Sequence, residues 1–388
     1  MTISETNIRD ICMMFQKYYS SDLMNESGRI TAFDLMRLIA ILMMIQGHTI
    51  YALGDPAVFD IKSFPGNIWH SMRGLTAPVF LVVSGIVSVF ANRRDESGRI
   101  PKQIIYKRLR VAGLIMFIGY WMMFPANTII DMFFIEQSII DRFLQVKILR
   151  VISITLFALT GLFALTRSYK SMGIISLVIG IAIVVVSPWA MKYDWFAVLP
   201  EGIAAFLSEK HGSGFTIFPY SAYMFIGAAI GSFLRHLKTE RITEFIKIFA
   251  LPFGAVLIFS AWLVESHYYI IGEALLKTGG VLIEMWIVCF IYDHTKGLSK
   301  YYSLFGRYSL FLYFLHLQFL YGSWIWQAPS IAYGRTLPML ITIGAAILNI
   351  LLCLSIAYGA DKYVMNNPKF KLRMKYAFAG IVIITLMF

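Results

Sequence analysis

The chain has 388 residues, 58% hydrophobic and 14% charged, and carries a formal net charge of +12. A soluble globular chain carries about 25% charged residues. This composition therefore excludes an ordinary soluble domain and fits a polytopic membrane protein, in which the excess of Lys and Arg reads as the charge bias of cytoplasmic loops rather than a nucleic-acid surface.

In chain order, residues 1–30 hold no continuous apolar core followed by a cleavage site, so no signal peptide is expected. Their stretch "NIRDICMMFQKYY" has the pattern of a short amphipathic helix on the inner membrane surface. Apolar runs then recur at 33–53, 69–91, 107–124, 148–166, 172–190, 216–234, 245–264, 272–292, 303–324 and 337–359. These runs approach the roughly 20 residues that cross a bilayer, whereas the last run, 376–388, is too short to span upright. The expected fold is all-α, a polytopic membrane helical bundle of ten transmembrane helices, or eleven if the last run is counted. Residues 126–146, with Asp131, Glu136, Asp141 and Arg142, read as an interfacial helix. Residues 193–214 read as a polar loop that could be partly re-entrant. Short linkers suggest a single integral-membrane domain, 31–388, behind a cytoplasmic segment, 1–30. The 31 Phe, 21 Tyr and 8 Trp suit lipid contact and interfacial belts.

Loop charges orient the bundle. The linker after the second span carries Arg93, Arg94, Arg99, Lys102, Lys107, Arg108 and Arg110, and later linkers on that side carry Arg167, Lys170, Arg235, Lys238, Lys296 and Lys300. On the opposite side, 54–68 holds only Lys62, and 265–271 holds no Lys or Arg. The positive-inside rule then places the N-terminus in the cytoplasm. Cys12, Cys289 and Cys353 give neither metal-ligand spacing nor a disulfide framework, so no metal is expected. No internal repeat is evident.

The first span, "FDLMRLIAILMMIQGH", breaks the rule that lipid excludes charge. At about 3.6 residues per turn, Asp34, Arg37, Ile41, Met44 and His48 form one stripe, with Arg37 and His48 roughly 16 Å apart along the axis. Ionisable groups at this depth face a bundle interior or a wet cavity. A structural salt bridge explains Asp34 and Arg37 equally well, and a satisfied core imidazole explains His48 taken alone. As an aligned set, the three favour a polar path.

His316 in "SLFLYFLHLQF", His70 and Arg73 at the outer start of the second span, and Glu284 in "VLIEMWIVC" are candidates to meet His48 in one outer-leaflet pocket. Each has a plainer alternative. His70 can sit in the interface, and His316 can be a satisfied core residue. An unpaired Glu284 carboxylate is costly unless it stays protonated. In "GLTAPVFLVVSGI" and "FTIFPYSAYMFIGAAIG", Gly85, Gly227 and Gly231 read as positions of close helix approach.

At this point a resemblance enters. "RITAFDLMRLIAILMMIQGHTIYAL", "MRGLTAPVFLVVSGIVSVF", "FTIFPYSAYMFIGAAIGSF" and "LFGRYSLFLYFLHLQFL", in this order, resemble the heparan-alpha-glucosaminide N-acetyltransferase-like membrane proteins, within the wider acyltransferase-3-like group. Arg37 and His48 fit that group's basic residue, ten residues, then His. Ser84-Gly85 echoes its second-helix turn, and "YKRLR" its basic linker. Two departures stand out: Arg37 is followed by Leu38 rather than Gly, and "VKIL" has Lys147 where the group often carries Asp.

The resemblance implies transfer of an acyl group, acetyl above all, from cytosolic acyl-CoA (acetyl-CoA) to a hydroxyl or amine of a glycan or amino-sugar acceptor outside a bacterial cytoplasmic membrane. His48 would be the catalytic base or an acylated intermediate, with Glu284 or His316 orienting it or the acceptor. Asp34 and Arg37 would line the donor's path. Arg93, Arg94, Lys107, Arg108 and Arg110 would meet its phosphates, although they also serve as topology charges. His70 and Arg73 would stand on the acceptor side. Membrane lipids are expected partners, a homo-oligomer is left open, and nucleic acid is not expected. A proton-coupled small-molecule transporter is the alternative, since a midplane Glu and intramembrane His suit that class too.

Overall fold

The computed structural model describes residues 30–57, 62, 64, 66–125, 130–322 and 328–365. The amphipathic segment near the N-terminus and the run 376–388 lie outside the described residues. The described chain forms α1 (Thr31–Leu53), α2 (Gly66–Ala91), α3 (Lys102–Trp121), α4 (Gln137–Leu144), α5 (Ile148–Leu165), α6 (Tyr169–Lys192), α7 (Glu201–Ala204) and α8 (Ile217–Leu234). It continues with α9 (Thr239–Val264), α10 (Tyr269–His294), α11 (Ser299–Arg307), α12 (Ser309–Tyr321), α13 (Pro329–Ala332) and α14 (Met339–Gly359). Among the described residues there is no strand, only an isolated parallel bridge between Gly54 and Leu337.

Among the described residues, eight helices, α1, α2, α5, α6, α8, α9, α10 and α14, are long and apolar enough to cross a membrane. The chain is thus an all-helical, multi-pass integral membrane protein. Two of the ten expected spans differ from the rest. α3 opens on Lys102, Lys107, Arg108 and Arg110 and stays below spanning hydropathy. The expected ninth span divides at Tyr308 (φ −89, ψ 10) into α11 and α12. At about 1.5 Å per residue, the 13 residues of α12 cover roughly 20 Å, short of the ~30 Å hydrocarbon core. The expected interfacial helix is likewise broken. A 3-10 turn at Asp131–Phe133 precedes α4, with extended backbone at Glu136 (φ −58, ψ 142) between them.

The chain folds as two units. One holds 81–125 and 135–291. In it the second half of α2 crosses α8 at backbone contact. A Cβ on Gly85 would lie 2.1 Å from the Met224 carbonyl oxygen, and one on Gly227 the same 2.1 Å from that of Val82. Lipid supplies no hydrophobic drive between helices, so association depends on close van der Waals packing, which small residues permit. Ser84 and Gly85 therefore stand in mid-helix at a crossing, not in a turn. α9 and α10 meet in the same way through Gly254 and Gly279.

The other unit holds the described residues of 31–80, 130–134 and those from 292 onward. Here α1 packs against α11, α12 and α14. Ala52, Leu53 and Leu320 form a buried apolar cluster with Leu337 and Ala345 against it. The amides of Arg335 and Leu337 donate to the carbonyls of Ala52 (3.1 Å) and Leu53 (2.9 Å), which ties the approach to α14 onto the end of α1. Deeper in, the Asn349 amide donates to Thr49 Oγ1 at 3.1 Å, and the Cys353 thiol donates to Asn349 Oδ1 at 3.4 Å. Such interhelical hydrogen bonds hold a bundle whose polar groups have no water to turn to.

Candidate functional site

The stripe on α1 keeps its register. Asp34, Ile41 and Met44 are buried, and Arg37 and His48 are half-buried. At its lower end Asp34 faces α11. The Ser303 hydroxyl donates to Asp34 Oδ2 at 3.4 Å, and a Cβ on Gly306 would lie 2.8 Å from that of Asp34. This carboxylate is thus part of the α1–α11 contact.

At the upper end the His48 ring faces the His316 ring of α12, with centroids 5.3 Å apart and planes tilted by 55°. Tyr313, one turn earlier on α12, presents its ring edge-on to His316 at 5.5 Å. His316 is fully buried (0% exposed). Its Nδ1–H donates to the Leu312 carbonyl at 3.0 Å, which leaves the lone pair of the neutral ring on Nε2. That Nε2 is buried without a hydrogen bond, and so is Nδ1 of His48. Nearly all buried polar atoms in folded chains find a partner, so each exception calls for an explanation. Two such atoms thus lie on facing rings at this end of the unit.

Arg73 lies alongside. Its side chain packs on Gly47, where an added Cβ would sit 3.2 Å away. Its guanidinium stands 4.7 Å from the Tyr51 ring centroid and 5.5 Å from that of Trp69. Trp69 is itself held by donation from Nε1 to Gln46 Oε1 at 3.0 Å. His70 is exposed, and among the described residues no contact joins it to the histidine pair. Glu284 belongs to the other unit, where it is half-buried on α10 with Oε1 lacking a hydrogen-bond partner. Of the expected cluster, one unit therefore brings together His48, His316 and Arg73.

The basic linker divides by role. Arg94, only 8% exposed, donates from Nη1 to the carbonyls of Gly98 (2.8 Å) and Thr166, and from Nη2 to Thr166 Oγ1 at 2.8 Å. Arg108 donates to Asn92 Oδ1 at 2.9 Å and to the Ala91 carbonyl at 2.8 Å. These two cations occupy the C-terminal ends of α5 and α2, where unpaired carbonyls and the helix dipole favour positive charge. Arg93, Lys107 and Arg110 are exposed. Lys147, at the start of α5, donates to Gln145 Oε1 at 3.0 Å and to the Gly212 carbonyl at 3.4 Å. Burial, and then the neighbouring Arg150 charge, lower the pKa of its ammonium.

The sequence reading missed Tyr313, Asn349 and Arg335. Asn349 had a visible signal, a lone amide inside the apolar run "AILNILL". Arg335 had none.

Neither the curated proteins nor the solved structures give a match. Residues 29–264 match the model of a family described as heparan-alpha-glucosaminide N-acetyltransferase, catalytic. The match takes in α1 to α9, and with them His48 and Arg73, and ends before Glu284 and His316. Because it covers more than half of the 388 residues, the chain belongs to this family of membrane acyltransferases.

Proposed function

We propose that the protein moves an acyl group, acetyl in the first instance, from cytosolic acyl-CoA to a hydroxyl or amine of a carbohydrate acceptor on the extracytoplasmic face. The observation that carries this reading is the His48–His316 pair, two facing imidazoles that each keep a buried nitrogen unbonded. In the reaction, the acceptor oxygen or nitrogen attacks the thioester carbonyl. A C–O or C–N bond forms as the C–S bond breaks, and the proton lost by the acceptor passes through His48 to the departing CoA thiolate. Such proton transfer contributes about 10²–10⁴-fold to a rate. The same imidazole could take the acyl group first and hand it on. His316, its tautomer fixed by Leu312, positions His48.

Arg37 shares the α1 face with His48 and would steady the donor arm. The exposed Arg93, Lys107 and Arg110 would meet donor phosphates, whereas Arg94 and Arg108 would act through the helix ends they hold. Asp34 would keep α11 on that face, Arg73 would stand on the acceptor side, and His70 would lie at the rim. The charge alternation of the loops supports a cytoplasmic N-terminus, and ten crossings would require α3 and the α11–α12 pair to traverse the bilayer as well.

The test is acetyl transfer from radiolabelled acetyl-CoA by the purified full chain. His48→Ala is expected to lose it while inserting and melting normally, and full activity in that variant removes His48 from the chemistry. A transporter reading draws on Glu284, whose Oε1 is buried and unbonded. Proton-driven uptake without acceptor-dependent CoA release would decide for it.

A further inference from the structure

We propose that Arg73 and Arg335 form an anion subsite beside the His48–His316 pair, holding a carboxylate, sulfate or phosphate of the molecule that takes part in acyl transfer. This rests on the acyltransfer reading and deepens it, since it names a chemical class of substrate.

The two arginines come from separate elements, α2 and the turn before α14, and converge on one ring. Their guanidinium carbons lie 4.7 Å and 4.9 Å from the centroid of Tyr51. Tyr51 follows His48 by three positions on α1, so the two share a helix face, and the ring is 51% exposed. The charges are no farther apart than those two distances added together, about one screening length at ordinary salt, so they repel. A ring face attracts a cation but does not neutralise two of them. Among the described residues neither guanidinium has a carboxylate partner. The nearby Asp55 turns its Oδ1 to the Ala57 amide at 2.9 Å instead.

Arg335 also sits in the left-handed backbone region, with φ 60. That conformation is uncommon for a residue with a side chain, and where it persists the surrounding structure enforces it. Here the enforcing contacts are the Arg335 amide on the Ala52 carbonyl and the Leu337 amide on the Leu53 carbonyl. Strain is thus held in the one residue that brings the second charge over Tyr51. Planar guanidinium forks match carboxylate, sulfate and phosphate geometry. Arg73 lies against Gly47, next to His48, so an acid held here is close to the reacting carbonyl. Acetyl carries no acid. The anion is therefore either on the acceptor or at the far end of a dicarboxylic acyl chain.

The experiment uses the full chain in nanodiscs. The acceptor arm compares glucosamine 6-sulfate with glucosamine, using acetyl-CoA as donor. The donor arm compares succinyl-CoA with acetyl-CoA, using glucosamine as acceptor. One charge-assisted contact supports a preference of about tenfold or more. The acidic member of one arm is expected to win by that factor in kcat/KM, and the arm that shows it identifies the source of the anion. Arg73→Gln and Arg335→Gln are each expected to pull that ratio toward one, and Arg335→Lys to restore part of it. Equal use of both members in both arms overturns the subsite while acyltransfer stands, as does a preference that neither Gln variant moves. If no pair is turned over, acyltransfer with these substrates fails as a reading. Equilibrium binding of glucosamine 6-sulfate against glucosamine then judges the subsite by itself, and equal affinities, unchanged in the Gln variants, refute it.

Discussion

If the two facing imidazoles work as one device, removing either should largely remove the benefit of the other. The perturbation is a double-mutant cycle of His48→Ala and His316→Gln. At a centroid separation of 5.3 Å the rings are in contact, so coupling is expected, whereas residues more than about 7–10 Å apart usually give additive effects. Loss of the general base alone is worth about 10²–10⁴-fold in kcat/KM, or roughly 3–5 kcal/mol of barrier. Loss of the residue that orients it should cost a smaller factor, about 10- to 100-fold. Treated as independent, the two losses would multiply. As a unit they do not, and the double variant should be no slower than His48→Ala. The assay is initial-rate acetyl transfer, with a melting curve for each variant, because His316 is fully buried and its replacement also strains the packing of α12. A double variant slower than His48→Ala by the full His316 factor, with unchanged melting, refutes the coupling.

Further expectations concern the scaffold. Gly227→Ala places a methyl 2.1 Å from the Val82 carbonyl oxygen, so α2 and α8 must part. Overpacking of this kind costs about 1–3 kcal/mol or more, and melting in detergent should show it. Gly161→Ala, with nothing within 4 Å of the new methyl, should instead hold or raise the melting temperature. Arg94→Met leaves the Thr166 and Gly98 carbonyls without their donor and should destabilise by about 2–4 kcal/mol, read by the same method. In the 95–99 loop, donation from the Ser97 hydroxyl and then from the Arg99 amide lowers the Asp95 pKa. A depressed carboxylate stabilises above its unfolded pKa and loses that contribution as pH falls. Amide protection in this loop, referred to the intrinsic exchange rate at each pH, should therefore fall below the usual carboxylate range, and protection that does not change with pH would contradict the hydrogen bonds.

Composition and periodicity determined much by themselves. Helical spans were legible because the bilayer forces every backbone polar group to pair within its own segment, which leaves long apolar runs. The α1 stripe was legible because helical geometry alone puts Asp34, Arg37 and His48 on one face. Gly85, Gly227 and Gly231 were legible as close-approach positions because lipid leaves packing as the main force between helices. Tertiary structure decided which of these groups meet. It paired His48 with His316 across 268 positions of sequence, put Glu284 in the other unit, and turned Arg94 and Arg108 onto helix ends. It also brought Arg335 to Tyr51 through a left-handed turn that no local pattern announced. Periodicity reports which side of a helix is polar. The partner facing that side is fixed by helix order and crossing, which depend on the packing of the whole chain at once.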